Sequence, residues 1–353
     1  MTKKFVIFFL VVWILAACTS NPAATTGVTP GEARTLRVMT HDSFAVSEAV
    51  ITKFEVEHNV KVKILKSGDA GTTLNTAILS KNNPLADVFY GVDNTFLSRA
   101  LEEDIFEVYK SPLLAEIPDI FMLDPKLRAL PIDYGDVCLN YDIAYFTDKN
   151  LPPPANLGDL LKPEYKHLLA VENPATSSPG LAFLLATIDN YGTDGYLDYW
   201  QGLKENGVVV VNDWNTAYYT EFTRSGGTRP IIVSYSSSPP AEVVFAEQPL
   251  EQPPTAAVTS DGACFRQIEF AGILKGTQNR DLAEKWIDFM LSTAFQEDLP
   301  LQMFVFPVNS EAKLPEVYTR FASIPALPAE VSPDEIAANR EKWIADWIEV
   351  VLK

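Results

Sequence analysis

The feature that most constrains this chain is the order of hydrophobic patterns between residues 36 and 91. Residues 36–40 read as a strand, and residues 47–58 carry Val50, Ile51, Phe54 and Val56 in a roughly helical stripe. Val60, Val62 and Ile64 then alternate with Lys61 and Lys63, the period of a half-buried strand. A helix is expected over about 72–80 and a short buried strand over 86–91. Strand, helix, strand, helix, strand requires crossovers, which pair the strands in parallel and cover both faces of the sheet with helices. The fold class is α/β.

The same grammar restarts further on. Residues 132–141 form an extended run, Leu151-Pro152-Pro153-Pro154 interrupts it, and a strand is expected over 168–171. Ser178-Pro179-Gly180 opens an apolar helix to residue 190, with Ser178 as its N-cap and Pro179 at the first helical position. Strands follow over 208–211 and 231–235, and 268–274 looks like a returning strand. The tail is helical over about 280–292 and again from 333 to the end, where Trp343, Trp347 and Val350 form a core-facing stripe. The Pro-rich residues 248–254 read as a surface loop. At 353 residues the chain has room for two domains. Two α/β lobes in one chain leave a cleft between them at the carboxyl ends of their strands.

The first segment is an address rather than a fold element. Lys3 and Lys4 precede an apolar run over 5–17, the basic and apolar regions of an export signal, too short to span a bilayer comfortably. It ends in Leu15-Ala16-Ala17-Cys18, which resembles a bacterial lipobox, so Cys18 is expected to carry a lipid as the first mature residue. Residues 19–34, rich in Thr, Pro, Ala and Gly, read as a tether. Removing residues 1–17 takes away two lysines and no acid, so the formal charge moves from −18 to −20 over the 336 residues that remain. Such acidity excludes a phosphate-backbone binder, whose affinity rests on clustered Lys and Arg. Cys138 and Cys264 are then an even pair in an exported chain, open to a disulfide or to two buried thiols.

Catalytic motifs are missing. There is no G-x-S-x-G elbow, no P-loop and no H-E-x-x-H, and His41, His58 and His167 are scattered, so neither a metal nor a cofactor is expected. Hydroxyl-rich and aromatic turns stand out instead, each after an expected strand. They are Thr40-His41-Asp42-Ser43-Phe44, Gly91-Val92-Asp93-Asn94-Thr95, Ala175-Thr176-Ser177-Ser178-Pro179-Gly180, the run from Asn212 to Tyr219, and Ser234-Tyr235-Ser236-Ser237-Ser238-Pro239. Taken singly, Ser178 is a helix cap, Asp42 and Asp93 are turn residues, and Trp214 is core. Their joint position at strand ends points them into a cleft. Carboxylates beside Trp and Tyr suit a flat cation, and serines at a helix N-terminus suit an anion.

At these turns, together with Ala86-Asp87-Val88 and Asp133-Tyr134-Gly135, the chain resembles the thiamine-binding proteins of bacterial ABC importers, within the type II periplasmic binding proteins. The likeness runs from about residue 36 to the carboxyl end. It implies two lobes joined by two hinge strands: 1–17 signal, 18–35 anchor and tether, 36–137 first lobe, 138–264 second lobe, and 265–353 returning to the first lobe, with C-terminal helices able to reach the second. It implies that Trp214 and Tyr235 bracket a thiazolium ring, that Asp42 and its neighbours meet the aminopyrimidine, and that Ser177 or Ser178 meets the hydroxyethyl or phosphate end. The full ligand set carried over is Asp42, Ser43, Asp93, Asn94, Ser177, Ser178, Trp214, Tyr218, Tyr235, Ser236 and Phe304. A bridge between Cys138 and Cys264 fits the hinge this resemblance implies.

The implied partners are thiamine or thiamine phosphate, a permease, and the membrane through Cys18. A monomer with no catalysis and no nucleic-acid contact is expected. One departure stands out: where relatives carry Trp before Tyr-Pro-Val, this chain has Phe304-Val305-Phe306-Pro307-Val308, an aromatic wall without the indole N–H. Three alternatives stay in view. The neighbours Tyr218-Tyr219 suit a ferric binder, the Ser-Ser-Pro-Gly turn recurs in iron and polyamine binders, and a thiamine-cleaving enzyme of the same fold would need a cysteine nucleophile in the cleft.

Overall fold

A computed structural model describes residues 33–353; the expected export signal, Cys18 and nearly all of the expected tether lie outside the described residues. β1 (Arg34–Thr40), α1 (Glu48–His58), β2 (Val60–Lys66), α2 (Ala70–Leu79) and β3 (Val88–Asp93) form the first run, and β1 pairs in parallel with both β2 and β3. Local signals explain the boundaries. The Ser47 hydroxyl accepts the Val50 N–H to open α1, and Asn59 closes it in the left-handed conformation at φ 48°. Phe54 on α1 meets Trp286 edge-on at 4.8 Å, and both are fully buried. Burying such a phenyl ring contributes about 2–3 kcal/mol.

After α3 (Leu97–Glu102) comes the strand on which the architecture turns, β4 (Leu130–Asp142). It is followed by α4 (Ile143–Lys149), β5 (Leu169–Glu172), α5 (Ser178–Glu205), β6 (Val209–Val211), the single turn α6 (Trp214–Thr216), β7 (Ile231–Tyr235), α7 (Ser238–Val244) and β8 (Thr255–Val258). The chain returns through β9 (Phe265–Ile273) and ends in α8 (Arg280–Leu291), α9 (Thr293–Gln296), α10 (Leu299–Gln302), β10 (Phe306–Pro307), α11 (Glu316–Phe321) and α12 (Pro333–Val351).

The strands form one sheet in the order β2-β1-β3-β9-β4-β7-β5-β6, with β8 and β10 also on β4. β4 changes partners along its length. From Leu130 to Val137 it runs antiparallel to β9, and from Val137 to Tyr141 antiparallel to β7. One lobe therefore holds β1, β2, β3 and β9, the other β5, β6, β7 and β8, and β4 passes from the first to the second. Cys138 and Cys264 are joined where β4 and the start of β9 lie side by side, with Cα atoms 4.4 Å apart.

Two sequence readings need correction. Ser177, not Ser178, is the N-cap of α5, and its side chain makes no capping hydrogen bond. The helix also continues past residue 190 to Glu205, across a break at Gly192, whose φ of 70° only a glycine adopts without strain. Local apolar patterning ended at that break. The stripe on α12 is core-facing: Trp347 meets Trp200 of α5 edge-on at 5.4 Å, and the Arg340 guanidinium lies 5.4 Å from the Phe96 ring. That helix thus touches both lobes.

Candidate functional site

The carboxyl ends of the strands meet in a cavity of about 290 Å³ between the lobes. The first lobe supplies the turn after β1 (His41, Asp42, Ser43, Phe44), Lys66 at the end of β2, Asp69 and Ala70 at the start of α2, Glu269 of β9, and Gln302 to Val305. The second lobe supplies Ser178 and Pro179 at the start of α5, Trp214, Asn215, Tyr218 and Tyr219, Tyr235 at the end of β7, and Ser238, Ala241 and Phe245 of α7 and its end.

The second-lobe wall is aromatic and held from behind. Asp213 caps the turn by accepting the Thr216 N–H at 2.7 Å, which sets Trp214 at the cavity edge. The indole Nε1 donates to Ser234 Oγ at 2.9 Å, fixing the ring plane. Tyr218 lies 4.9 Å from the indole, tilted by 32°, and its hydroxyl donates to Glu242 at 2.7 Å. Burial, then the Glu242 charge, holds that phenol well above its usual range. Tyr235 donates to Gln267 Oε1 at 3.2 Å, with its ring over Gly135, where a Cβ would stand 2.8 Å from Tyr235 Cδ1. Trp214 and Tyr235 are 6.5 Å apart at 62°. No ring fits between planes so placed, so the two form adjoining faces of one wall rather than a bracket.

The first-lobe wall is charged. Glu269 Oε1 lies 3.2 Å from His41 Nε2, and Oε2 accepts the Tyr90 hydroxyl at 3.0 Å. The Tyr90 oxygen is also 2.5 Å from Asp133 Oδ2. Burial, then the Glu269 charge, raises Asp133 well above the usual carboxylate range. Burial also disfavours a charged Glu269, but the His41 charge, with the Tyr90 hydroxyl, outweighs it and holds Glu269 below its ordinary value. Of the two, Asp133 is the carboxyl that more readily holds a proton and Glu269 the one that more readily ionises. Asp69 caps α2 through Ala70 N–H at 2.6 Å and reaches across the cleft, where its Oδ2 accepts the Trp214 N–H at 3.1 Å. Burial pushes the Asp69 carboxyl up against these hydrogen bonds.

Phe304 takes the left-handed conformation at φ 57°, costly for any residue with a Cβ. The Ser237 hydroxyl holds it there by donating to the Phe304 carbonyl at 2.5 Å, and the ring meets Phe245 at 5.3 Å.

Of the residues singled out from sequence, Asp42, Ser43, Ser178, Trp214, Tyr218, Tyr235 and Phe304 line the cavity. Asp42 is exposed and spends Oδ1 on the Gly68 N–H at 3.0 Å. Four others lie outside the lining. Asp93 is buried, accepting from Thr95 and from Gln267 Nε2, and burial pushes it up to about 6. Asn94 knits β9 in place through Arg266 and Ile268. Ser177 is buried at the α5 cap. Ser236 is buried too, its N–H donating to the Asp136 carbonyl at 2.8 Å. Asp69, Glu269, Phe245 and Met303 line the cavity without having been singled out. Asp69 follows β2 in the same way that the chosen turns follow their strands, a usable signal. Glu269 had one too, a lone acid inside the apolar run Ile268-Glu269-Phe270.

Among the described residues, no cluster of three or more His, Cys, Asp or Glu side chains could hold a metal ion. Residues 83–324 match the family described as bacterial extracellular solute-binding protein. The thiamine-binding periplasmic protein of Salmonella typhimurium is 32% identical over 319 residues, covering 88% of this chain and 92% of that protein. Its Escherichia coli counterpart is 30% identical over 316 residues, with the same two coverages, 88% and 92%. Among solved structures, a periplasmic thiamin binding protein superposes with a TM-score of 0.78 at 26% identity, covering 90% of this chain and 96% of that one. A ferric binding protein from Campylobacter jejuni shares the fold, with a TM-score of 0.72 at 20% identity over 89% of this chain and 99% of that one. With the two-lobed fold, the interlobe cavity and these matches in agreement, the chain belongs to the bacterial extracellular solute-binding proteins.

Proposed function

We propose that the chain is the substrate-binding lipoprotein of an ABC importer, capturing thiamine or one of its phosphate esters in the interlobe cleft and delivering it to a permease. The observation that carries this reading is the pairing of Trp214 and Tyr235 on one wall with Glu269 and Asp69 on the other. A thiazolium ring is flat, aromatic and permanently positive, so it gains from an indole face on one side and from a buried carboxylate on the other. In this reading the thiazolium stacks on Trp214 with Tyr235 meeting its edge and Glu269 opposite, and the aminopyrimidine faces Asp42 and its neighbours in the turn after β1. The hydroxyethyl or phosphate end sits at Ser178, where the free N–H groups of the first turn of α5 favour an anion. Phe304 closes the far wall. Binding groups on both lobes favour the closed state, which is what a permease would recognise. The lipid on Cys18 and the tether keep the monomeric receptor at the outer face of the membrane.

The ferric alternative rests on Tyr218-Tyr219, but Tyr218 gives its hydroxyl to Glu242 and is held protonated there, which opposes phenolate ligation. A thiamine-cleaving enzyme needs a free thiolate, and Cys138 and Cys264 are bonded to one another. Isothermal calorimetry with thiamine, its mono- and diphosphate, and ferric citrate tests the reading. Saturable heat from at least one thiamine compound and none from iron is expected. Iron binding without thiamine binding would overturn it.

A further inference from the structure

Glu269 is a carboxylate inside β9 with 6% of its surface exposed, and a charge so placed needs a counter-charge or several donors. Tyr90 donates to one oxygen, and His41 Nε2 lies 3.2 Å from the other, on an imidazole that is itself only 8% exposed. That ring is pinned. Gly91, at φ 95°, lies against it, and a Cβ there would stand 2.3 Å from the imidazole Cδ2. On its other contact the Tyr90 ring is 5.6 Å away. The surrounding charges come from several elements. Asp69 at the start of α2 favours an imidazolium and Lys66 at the end of β2 opposes it, while Asp133 of β4 and Tyr90 of β3 close the cluster behind Glu269. Asp42, next along the turn, lines the same cavity. Burial disfavours the charged ring, yet the Glu269 charge 3.2 Å away prevails and holds His41 above its ordinary value.

We propose that His41 is a resident counter-cation, neutralising Glu269 in the empty cleft and surrendering its proton when a permanently cationic ligand enters. His41 and Glu269 line one cavity, so a thiazolium beside Glu269 also stands beside His41. Of the two positive groups only the imidazolium can discharge. It becomes neutral imidazole, its proton passes to the buffer, and the fixed charge of the ligand takes its place, leaving the net charge of the cavity unchanged. A neutral analogue makes no such exchange, so the pair discriminates by charge. The loaded protein holds fewer protons than the empty one, so affinity rises with pH across the His41 titration, by at most about tenfold per pH unit for one proton.

This inference rests on the thiamine reading. The test is calorimetry of thiamine binding near pH 6.5 in buffers of different ionisation enthalpy, followed by affinities from pH 5.5 to 7.5. Expected are a buffer dependence corresponding to release of up to one proton and tighter binding at higher pH. In His41→Gln both dependences should vanish while binding stays measurable, and any titration of the ligand itself cancels between the two proteins. Binding of thiamine without proton release in the unaltered protein overturns the inference alone. Absence of binding at every pH overturns the thiamine reading and the inference with it.

Discussion

The two walls of the cleft are built on opposite principles. The first-lobe wall anchors its most enclosed carboxylate in the sheet itself: Glu269 lies within β9, backed by Tyr90 of β3 and Asp133 of β4, with His41 and Asp69 on turns beside it. The second-lobe wall hangs Trp214 and Tyr218 on the turn after β6 and orients them with single hydrogen bonds, Trp214 to Ser234 and Tyr218 to Glu242, with Tyr235 at the very end of β7. Charge in a low-dielectric setting is costly to misplace, and Glu269, the most enclosed carboxylate of the cavity, sits on a rigid strand. Stacking tolerates small shifts in ring position, so it can be carried by turns that move as the lobes close.

That contrast can be broken from either side. Glu269→Ala should weaken binding of a cationic ligand most, by about 2–5 kcal/mol, since it removes one partner of a buried charge pair. Titration calorimetry at pH 7 measures this, and a loss below 1 kcal/mol would mean that the charged wall does not recognise charge. Trp214→Ala should cost about 1–3 kcal/mol through lost stacking and cation–π contact. An unchanged dissociation constant would remove the indole from the site. Ser234→Ala should cost the least, about 1 kcal/mol, by freeing the indole N–H and letting the ring rotate. Its signature is a faster dissociation rate in stopped-flow fluorescence, and a loss equal to that of Trp214→Ala would show that ring orientation matters as much as the ring.

Much of this architecture was legible in the chain because periodicity is local. The alternation at Val60, Val62 and Ile64, the helix over residues 280–292 and the run over 132–141 all recur in the structure as β2, α8 and β4. The change of partners along β4 was not legible in the hydrophobic pattern, since nothing at Val137 differs from its neighbours; a boundary at 137 and 138 came only from the family resemblance, and the positions of β7 and β9 decide the pairing. The aromatic wall was easier to find than the charged one. Trp and Tyr clustered on a turn have few other uses, whereas a carboxylate after a strand looks the same whether it caps, faces a cavity or is buried. Asp93 and Asp69 show the confusion in both directions: the first is enclosed with Thr95 and Gln267, the second reaches the cavity while capping α2.

The link between Cys138 and Cys264 makes the polypeptide a ring with two tails. The ring spans a sequence separation of 126 and carries Trp214, Tyr218 and Tyr235; both tails belong to the side that carries Glu269 and His41. Ring closure restricts only what it encloses, so the unfolded aromatic half loses conformational freedom that the charged half keeps. A cut in the largely exposed segment 248–254 leaves both pieces covalently attached until a reductant is added. The junction also keeps Val137 and Phe265 close in the denatured chain, so the pairing of β4 with β9 begins with its ends already together.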